Sequence, residues 1–253
     1  MDNINTTFPA DSFNDNMAVG KNIVITGASK GIGKAVAAAF AVEAANLFLC
    51  ARNEVTLYNT VAELQSRYPL SNINARPFDL SVKESAINFG KWVNDSCGAV
   101  DILINNAGSF LPGSVYNEPD GLLEQMIAIN LSSAYHLTRT LLPGMMAKKN
   151  GHIFNLCSIA SLQAYHNGGS YSISKFAMMG FSKNLREELK PYNIKVSAVY
   201  PGAVLTDSWG GYDNTAKRIM EATDIAAMIV AATKLSPAAV MEDIILRPQL
   251  GDL

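Results

Sequence analysis

The chain has 253 residues, of which 49% are apolar and 17% charged, with a formal net charge of −2; this is the profile of a soluble globular protein with ample core. No basic bias points to nucleic acid, no acidic tail is present, and no run of about 18 consecutive apolar residues could span a membrane. Cys50, Cys97 and Cys157 are odd in number, far apart and without metal-ligand spacing, so they read as reduced, mostly buried thiols of a cytoplasmic protein that holds no metal.

Met1 to Asn16 is rich in Asn, Asp, Thr and Ser and lacks the charged start and apolar core of a secretory signal. It reads as part of a flexible leader over residues 1–18, with Met17 available as a second start, ahead of a single domain over 19–253. Asn22-Ile23-Val24-Ile25-Thr26 predicts a strand, Gly27-Ala28-Ser29-Lys30-Gly31-Ile32-Gly33 a turn, and Lys34 to Phe40 a helix. Glycines between strand and helix let the backbone approach a pyrophosphate, to which the helix N-terminus offers free N–H groups; the alternative is a plain tight turn. The second strand, Leu47 to Ala51, ends in Arg52 with no acid to take a ribose 2′-hydroxyl. Arg52 and Lys30 could instead meet a 2′-phosphate, which favours NADP over NAD unless both are solvated surface charges.

After a polar helix from Glu54 to Tyr68, Ile73 to Leu80 predicts a third strand, with Asp79-Leu80 at its end. Asp79 could bond the adenine amino group or N-cap the helix that begins near Val82. A fourth strand, Val100 to Ile104, closes on Asn105-Asn106-Ala107-Gly108, small and amide-bearing residues at a strand end, where open α/β sheets bind ligands. A long amphipathic helix is expected over 122–146. Asn130, in its apolar middle, is either a satisfied core amide or a distortion that holds a water. Strand five runs from His152 to Leu156 and ends at Cys157-Ser158; strand six runs from Lys195 to Tyr200 and ends at Pro201-Gly202; the last runs from Glu242 to Pro248. Residues 203–218 suit a mobile flap, and Asp224 to Leu235 a short helix. Alternating strands and helices without a linker or repeat predict one doubly wound parallel sheet, a seven-stranded Rossmann architecture with helices on both faces.

Between strands five and six lies Tyr171-Ser172-Ile173-Ser174-Lys175, opening a helix over 171–190. Residues at i and i+4 share a helix face, so the Lys175 charge can favour the Tyr171 phenolate, as a general acid/base requires. From Lys21 to Pro248 the chain resembles the short-chain dehydrogenases/reductases. The matching pieces are Thr26-Gly27-x-x-x-Gly31-Ile32-Gly33, Asp79-Leu80, Asn105-Asn106-Ala107-Gly108, Asn130, Ser158, Tyr171-x-x-x-Lys175 and Pro201-Gly202-x-x-x-Thr206, all in the family's order.

The resemblance implies an oxidoreductase that passes hydride between NADP(H) and a small carbonyl or alcohol. Tyr171 would be the general acid, Lys175 would lower its pKa and bind ribose hydroxyls, Ser158 would donate to the carbonyl oxygen, and Asn130 would hold a proton-relay water. Cofactor contacts would come from Gly27, Ser29, Lys30, Gly31, Ile32, Gly33, Arg52, Asp79, Leu80, Asn106, Ala107, Gly108, Tyr171, Lys175, Pro201, Gly202, Val204 and Thr206. A homodimer or homotetramer through the helices at 122–146 and 171–190 is also implied. The chain end lacks the Asp-Gly-Gly segment of the ketoacyl-carrier-protein reductases, which leans toward small hydroxy compounds. The alternatives are an NAD-linked alcohol dehydrogenase of the same family and a non-catalytic dinucleotide-binding protein.

Overall fold

The computed structural model describes residues 18–206 and 209–252. The leader expected over 1–18 lies outside them save for Ala18, which is 1% exposed and packs into the core, so the folded part reaches back at least to that residue. The strands are β1 (Asn22–Thr26), β2 (Asn46–Ala51), β3 (Asn72–Pro77), β4 (Ile102–Asn105), β5 (Gly151–Leu156), β6 (Ile194–Pro201) and β7 (Asp243–Leu246). They form one seven-stranded sheet in the order β3-β2-β1-β4-β5-β6-β7, and every pairing is parallel. Covered on both faces, β1, β2, β4 and β5 are almost wholly buried and need no polar alternation.

Two cores flank the sheet. One packs α1 (Gly31–Val42), α2 (Glu54–Arg67) and α7 (Ala222–Thr233) through Phe40, Leu57, Leu64 and Ile229; the other packs α3 (Lys83–Cys97), α5 (Ser133–Lys148) and α6 (Gly169–Leu189) through Phe89, Leu141 and Leu185. Local chemistry sets the helix ends where it can. Asn53 caps α2, accepting from the Thr56 N–H at 2.9 Å, which leaves Glu54 in the first turn and Arg67 in the last, both favourable to the helix dipole.

Two expectations are corrected. The single helix over 122–146 is instead α4 (Leu122–Ile127), a π-helical turn (Ala128–Ser132) and α5. The wide turn is centred on Asn130, whose side chain is drawn to partners outside the helix; such bulges cluster at functional sites. Asp79 does not cap α3, whose N-cap is Val82. Its carboxylate accepts from the Ser81 N–H at 3.0 Å and the Ser81 hydroxyl at 2.6 Å, closing a turn just ahead of the helix.

Strand order reverses between β1 and β4: after β1 the chain moves to one side, and from β4 to the other. The loops leaving the carboxyl ends of these two strands therefore part and open a crevice. The glycine turn follows β1 and Asn106-Ala107-Gly108 follows β4, so topology alone brings these stretches side by side.

Candidate active site

Thr26, the last residue of β1, organises the floor of the crevice. Its hydroxyl accepts from the backbone N–H groups of both Asn106 and Ala107 at 2.9 Å and donates to the Ile104 carbonyl at 3.3 Å. The Asn106 amide donates back to the carbonyls of Thr26 at 2.9 Å and Gly27 at 3.2 Å, locking the glycine turn to the β4 loop. Gly33 sits where nothing larger fits, since a Cβ there would run into the Gly27 carbonyl oxygen and lie 2.5 Å from Asn106 Nδ2. The same packing fixes the first turn of α1, which has no side-chain cap and no acidic residue. That arrangement offers backbone N–H groups and a positive dipole end to an anion, so these residues fit a pyrophosphate.

Around this floor the remaining expected cofactor residues fall into two groups. Ser29 accepts the Thr60 hydroxyl at 2.8 Å, tying the turn to α2, and Ile32 packs on the core. Lys30, the N-cap residue of α1, and Arg52, just past β2, are both exposed. The Ser81 hydroxyl, and to a lesser degree the Arg52 charge, hold Asp79 below the ordinary carboxylate range. Arg52 thus has the Asp79 carboxylate in its field. Leu80 is buried in the core, so only its backbone can face a ligand. At the other end, a Cβ on Gly31 would lie 3.2 Å from Thr206 Cγ2, which seats Thr206 against the glycine turn. Val204 is held by parallel pairing with Met220, reinforced by the bond from the Leu205 N–H to the Met220 carbonyl at 2.7 Å. Pro201 ends β6, and the Gly202 N–H donates to Leu246 at 2.8 Å.

The Tyr171–Lys175 pair lies on the first turns of α6. Lys175 is 7% exposed, its Nζ donates to the Leu156 carbonyl at the end of β5 at 2.8 Å, and it stands 5.8 Å from the centre of the Tyr171 ring. A Cβ on Gly108 would lie 3.7 Å from that nitrogen and 3.1 Å from Asn130 Oδ1, so the β4 loop, the π turn and α6 converge on one ammonium. Asn130, 1% exposed, donates to the Ser109 carbonyl at 3.0 Å and the Ser174 hydroxyl at 2.9 Å, while its oxygen accepts from the Ser109 N–H at 2.8 Å. Its amide is thus satisfied by protein partners within the distorted turn. Ser158 follows β5; its hydroxyl accepts from the Ala160 N–H at 3.1 Å and keeps its own proton for donation. The Ser172 hydroxyl donates to the Ala160 carbonyl at 3.0 Å and thereby ties this turn to α6.

A family model described as short chain dehydrogenase matches residues 21–217. The chain belongs to the short-chain dehydrogenases. It is an oxidoreductase of that family by descent, and its relatives cover nearly its whole length. A sepiapterin reductase of Chlorobaculum tepidum is 31% identical over 239 residues, 91% of this chain and 97% of the relative. A metagenomic short-chain oxidoreductase solved in complex with NADP is 28% identical with a TM-score of 0.80, covering 92% of this chain and 98% of the other. The L-sorbose reductase of Gluconobacter frateurii, solved with NADPH and L-sorbose, is also 28% identical, with a TM-score of 0.85 and coverage of 91% and 97%.

Beyond the site residues expected from the sequence, the structure brings Thr26, Ser174, Glu118, Phe110 and Tyr165 to this candidate site. Thr26 and Ser174 lie inside the quoted motifs, so their neighbours could have flagged them. Glu118 carried no signal, because its partner Ser170 is 52 residues away. Among the described residues no cluster of three or more His, Cys, Asp or Glu could hold a metal ion, and no helix is long and apolar enough to cross a membrane.

Proposed function

We propose that this protein is an NADP-dependent reductase of a small carbonyl compound, working in reverse as an alcohol dehydrogenase, with Tyr171 as its general acid/base. The observation that carries the reading is the convergence on Lys175. A buried ammonium, fixed by the Leu156 carbonyl, stands beside the Tyr171 ring and directly under Gly108.

A nicotinamide dinucleotide, when bound, supplies the hydride from C4 of its reduced ring. The protein supplies position and electrostatics. Gly27, Gly31 and Gly33 with the α1 N-terminus would hold the pyrophosphate, and Lys30 and Arg52 a 2′-phosphate. Asp79 and the Leu80 backbone would meet the adenine, Asn106, Ala107 and Gly108 would pass beneath the ribose, and Pro201, Gly202, Val204 and Thr206 would hold the nicotinamide end. The NADP and NADPH carried by two solved relatives support this choice over NAD.

Tyr171 delivers its proton to the carbonyl oxygen as charge grows there, and Ser158 donates a second hydrogen bond to the same atom. Lys175 places positive charge next to the phenol oxygen as that proton leaves, with its remaining N–H groups available to ribose hydroxyls. Asn130 acts by holding Ser109 and Ser174, which flank the β4 loop and Lys175, in register.

Tyr171→Phe is expected to lower kcat by about a hundredfold or more while NADPH binding persists. Undiminished turnover in that variant would remove Tyr171 from the mechanism. A fluorescence titration decides the cofactor: NADPH should bind at least about tenfold tighter than NADH, and Arg52→Ala should erase most of that difference.

A further inference from the structure

Two half-exposed aromatic side chains lie at the start of α6 without belonging to any core cluster, one of them against the Tyr171 ring. Phe110, 44% exposed, meets the Tyr171 ring edge-on, with centroids 4.8 Å apart and planes at 85°. Tyr165, 45% exposed, lies against the first turn of α6: a Cβ on Gly168 would be 3.1 Å from both Tyr165 Cε1 and Ser172 Cβ. Burial raises the Tyr165 phenol to about 12, and the Tyr171 phenol adds to the rise.

The loops bearing these rings form a single rim. The Gly113 N–H donates to the Asn167 carbonyl at 3.0 Å, and the Ser114 hydroxyl to Asn167 Oδ1 at 2.7 Å. Glu118 then takes the Ser170 N–H at 2.9 Å on one oxygen and the Ser170 hydroxyl on the other, clamping the rim to the residue before Tyr171.

Besides its phenols the rim holds only His166 and the Glu118 carboxylate as ionisable groups. Neither 109–117 nor 159–170 contains an Asp, Glu, Lys or Arg, and both Glu118 oxygens are engaged by Ser170. Lys217 and Arg218, the cations of the segment 203–218, line a cavity of about 460 Å³ with Pro248 and Gln249.

We infer that the substrate is an uncharged ketone bearing an aromatic group next to its carbonyl, the ring seated between Phe110 and Tyr165. The inference rests on Tyr171 being the proton donor. A flat apolar group would cover both exposed rings and gain their edge and face contacts. A carboxylate or phosphate would find no Lys or Arg on either wall, and a polyol would leave its hydroxyls against ring carbons. In the reaction the C=O π bond breaks, the carbon gains hydride from the reduced nicotinamide, and the oxygen gains the Tyr171 proton. The ketone becomes a secondary alcohol and the dinucleotide is oxidised.

The test uses the full chain with NADPH and four probes: acetophenone, 2-butanone, a ketohexose and pyruvate. Acetophenone is expected to show a kcat/KM at least about tenfold above each of the others, a ratio that one well-packed aromatic contact can supply. Phe110→Ala should narrow the acetophenone-to-butanone ratio by about tenfold, and Phe110→Leu, which keeps bulk but loses the ring, should narrow it in the same direction. Equal or better turnover of the ketohexose or pyruvate overturns the substrate class while leaving the reductase reading intact. So does an unchanged ratio in a folded Phe110 variant. No turnover of any carbonyl, nor of any alcohol with NADP, despite dinucleotide binding, overturns the reductase reading and this inference with it.

Discussion

Asn130 and Gly33 show how single residues here serve two stretches of chain at once. Asn130 would be a poor choice for a helix interior on propensity alone, yet three short bonds to Ser109 and Ser174 compensate and open the π turn around it. Gly33 is required by contact rather than by a special backbone angle, since the Gly27 carbonyl and the Asn106 amide occupy the space of a side chain. Gly33→Ala should therefore push the glycine turn away from the β4 loop. We expect a loss of about 1–3 kcal/mol in unfolding free energy and a rise of at least about tenfold in the NADPH dissociation constant, measured by urea denaturation and fluorescence titration. An alanine variant that binds normally would show that the crevice floor can yield.

At the scale of elements, α6 begins without a cap of its own. Its N-cap residue is Gly168, which makes no side-chain bond, and the first turn holds no acid. The missing acceptor comes from Glu118 in the segment between β4 and α4, and Gly169, at φ +36°, leaves room for that carboxylate. A helix that presents both Tyr171 and Lys175 is thus anchored from a distance. Glu118→Ala should cost about 1–2 kcal/mol of stability and lower kcat, because the rim and the phenol lose their common tie. Glu118→Gln should recover most of the stability, since an amide oxygen still accepts from the Ser170 N–H. Denaturation curves and rates on the two variants separate these outcomes.

For the molecule as a whole, the sheet that positions the site also buries a titratable ring. His152 on β5 stacks on Phe154 with centroids 3.9 Å apart and shares a 2.8 Å hydrogen bond with the Ser197 hydroxyl on β6. Burial, aided by the charges of Lys195 and Lys21, lowers it to about 3. Below its unfolded value of about 6.5 the unfolded chain takes up a proton that the native state refuses, so stability falls as pH falls. From pH 7 to 5.5, above most carboxylate titrations, this amounts to about 1 kcal/mol. His152→Gln should remove that part of the slope in urea melts at the two pH values. An unchanged slope would assign the dependence elsewhere.

The alternation of buried β-branched runs with amphipathic stretches was enough to determine the parallel sheet, the positions of most strands to within a residue or two, and the turns at which chemistry gathers. Those features are local: burial on both faces demands apolar strands, and a tight strand-to-helix turn demands glycine. The i, i+4 relation of Tyr171 and Lys175 was legible for the same reason. What only the tertiary structure decided involves partners far apart in sequence. That Thr26 joins two loops depends on the reversal of strand order between β1 and β4, while the reach of the Asn130 amide to Ser109 and Ser174, the capping of α6 by Glu118 and the contact of Phe110 with the Tyr171 ring depend on β4 and β5 lying side by side. Hydrogen-bonding capacity is visible in a residue's name, but its partner is chosen by which strands lie side by side.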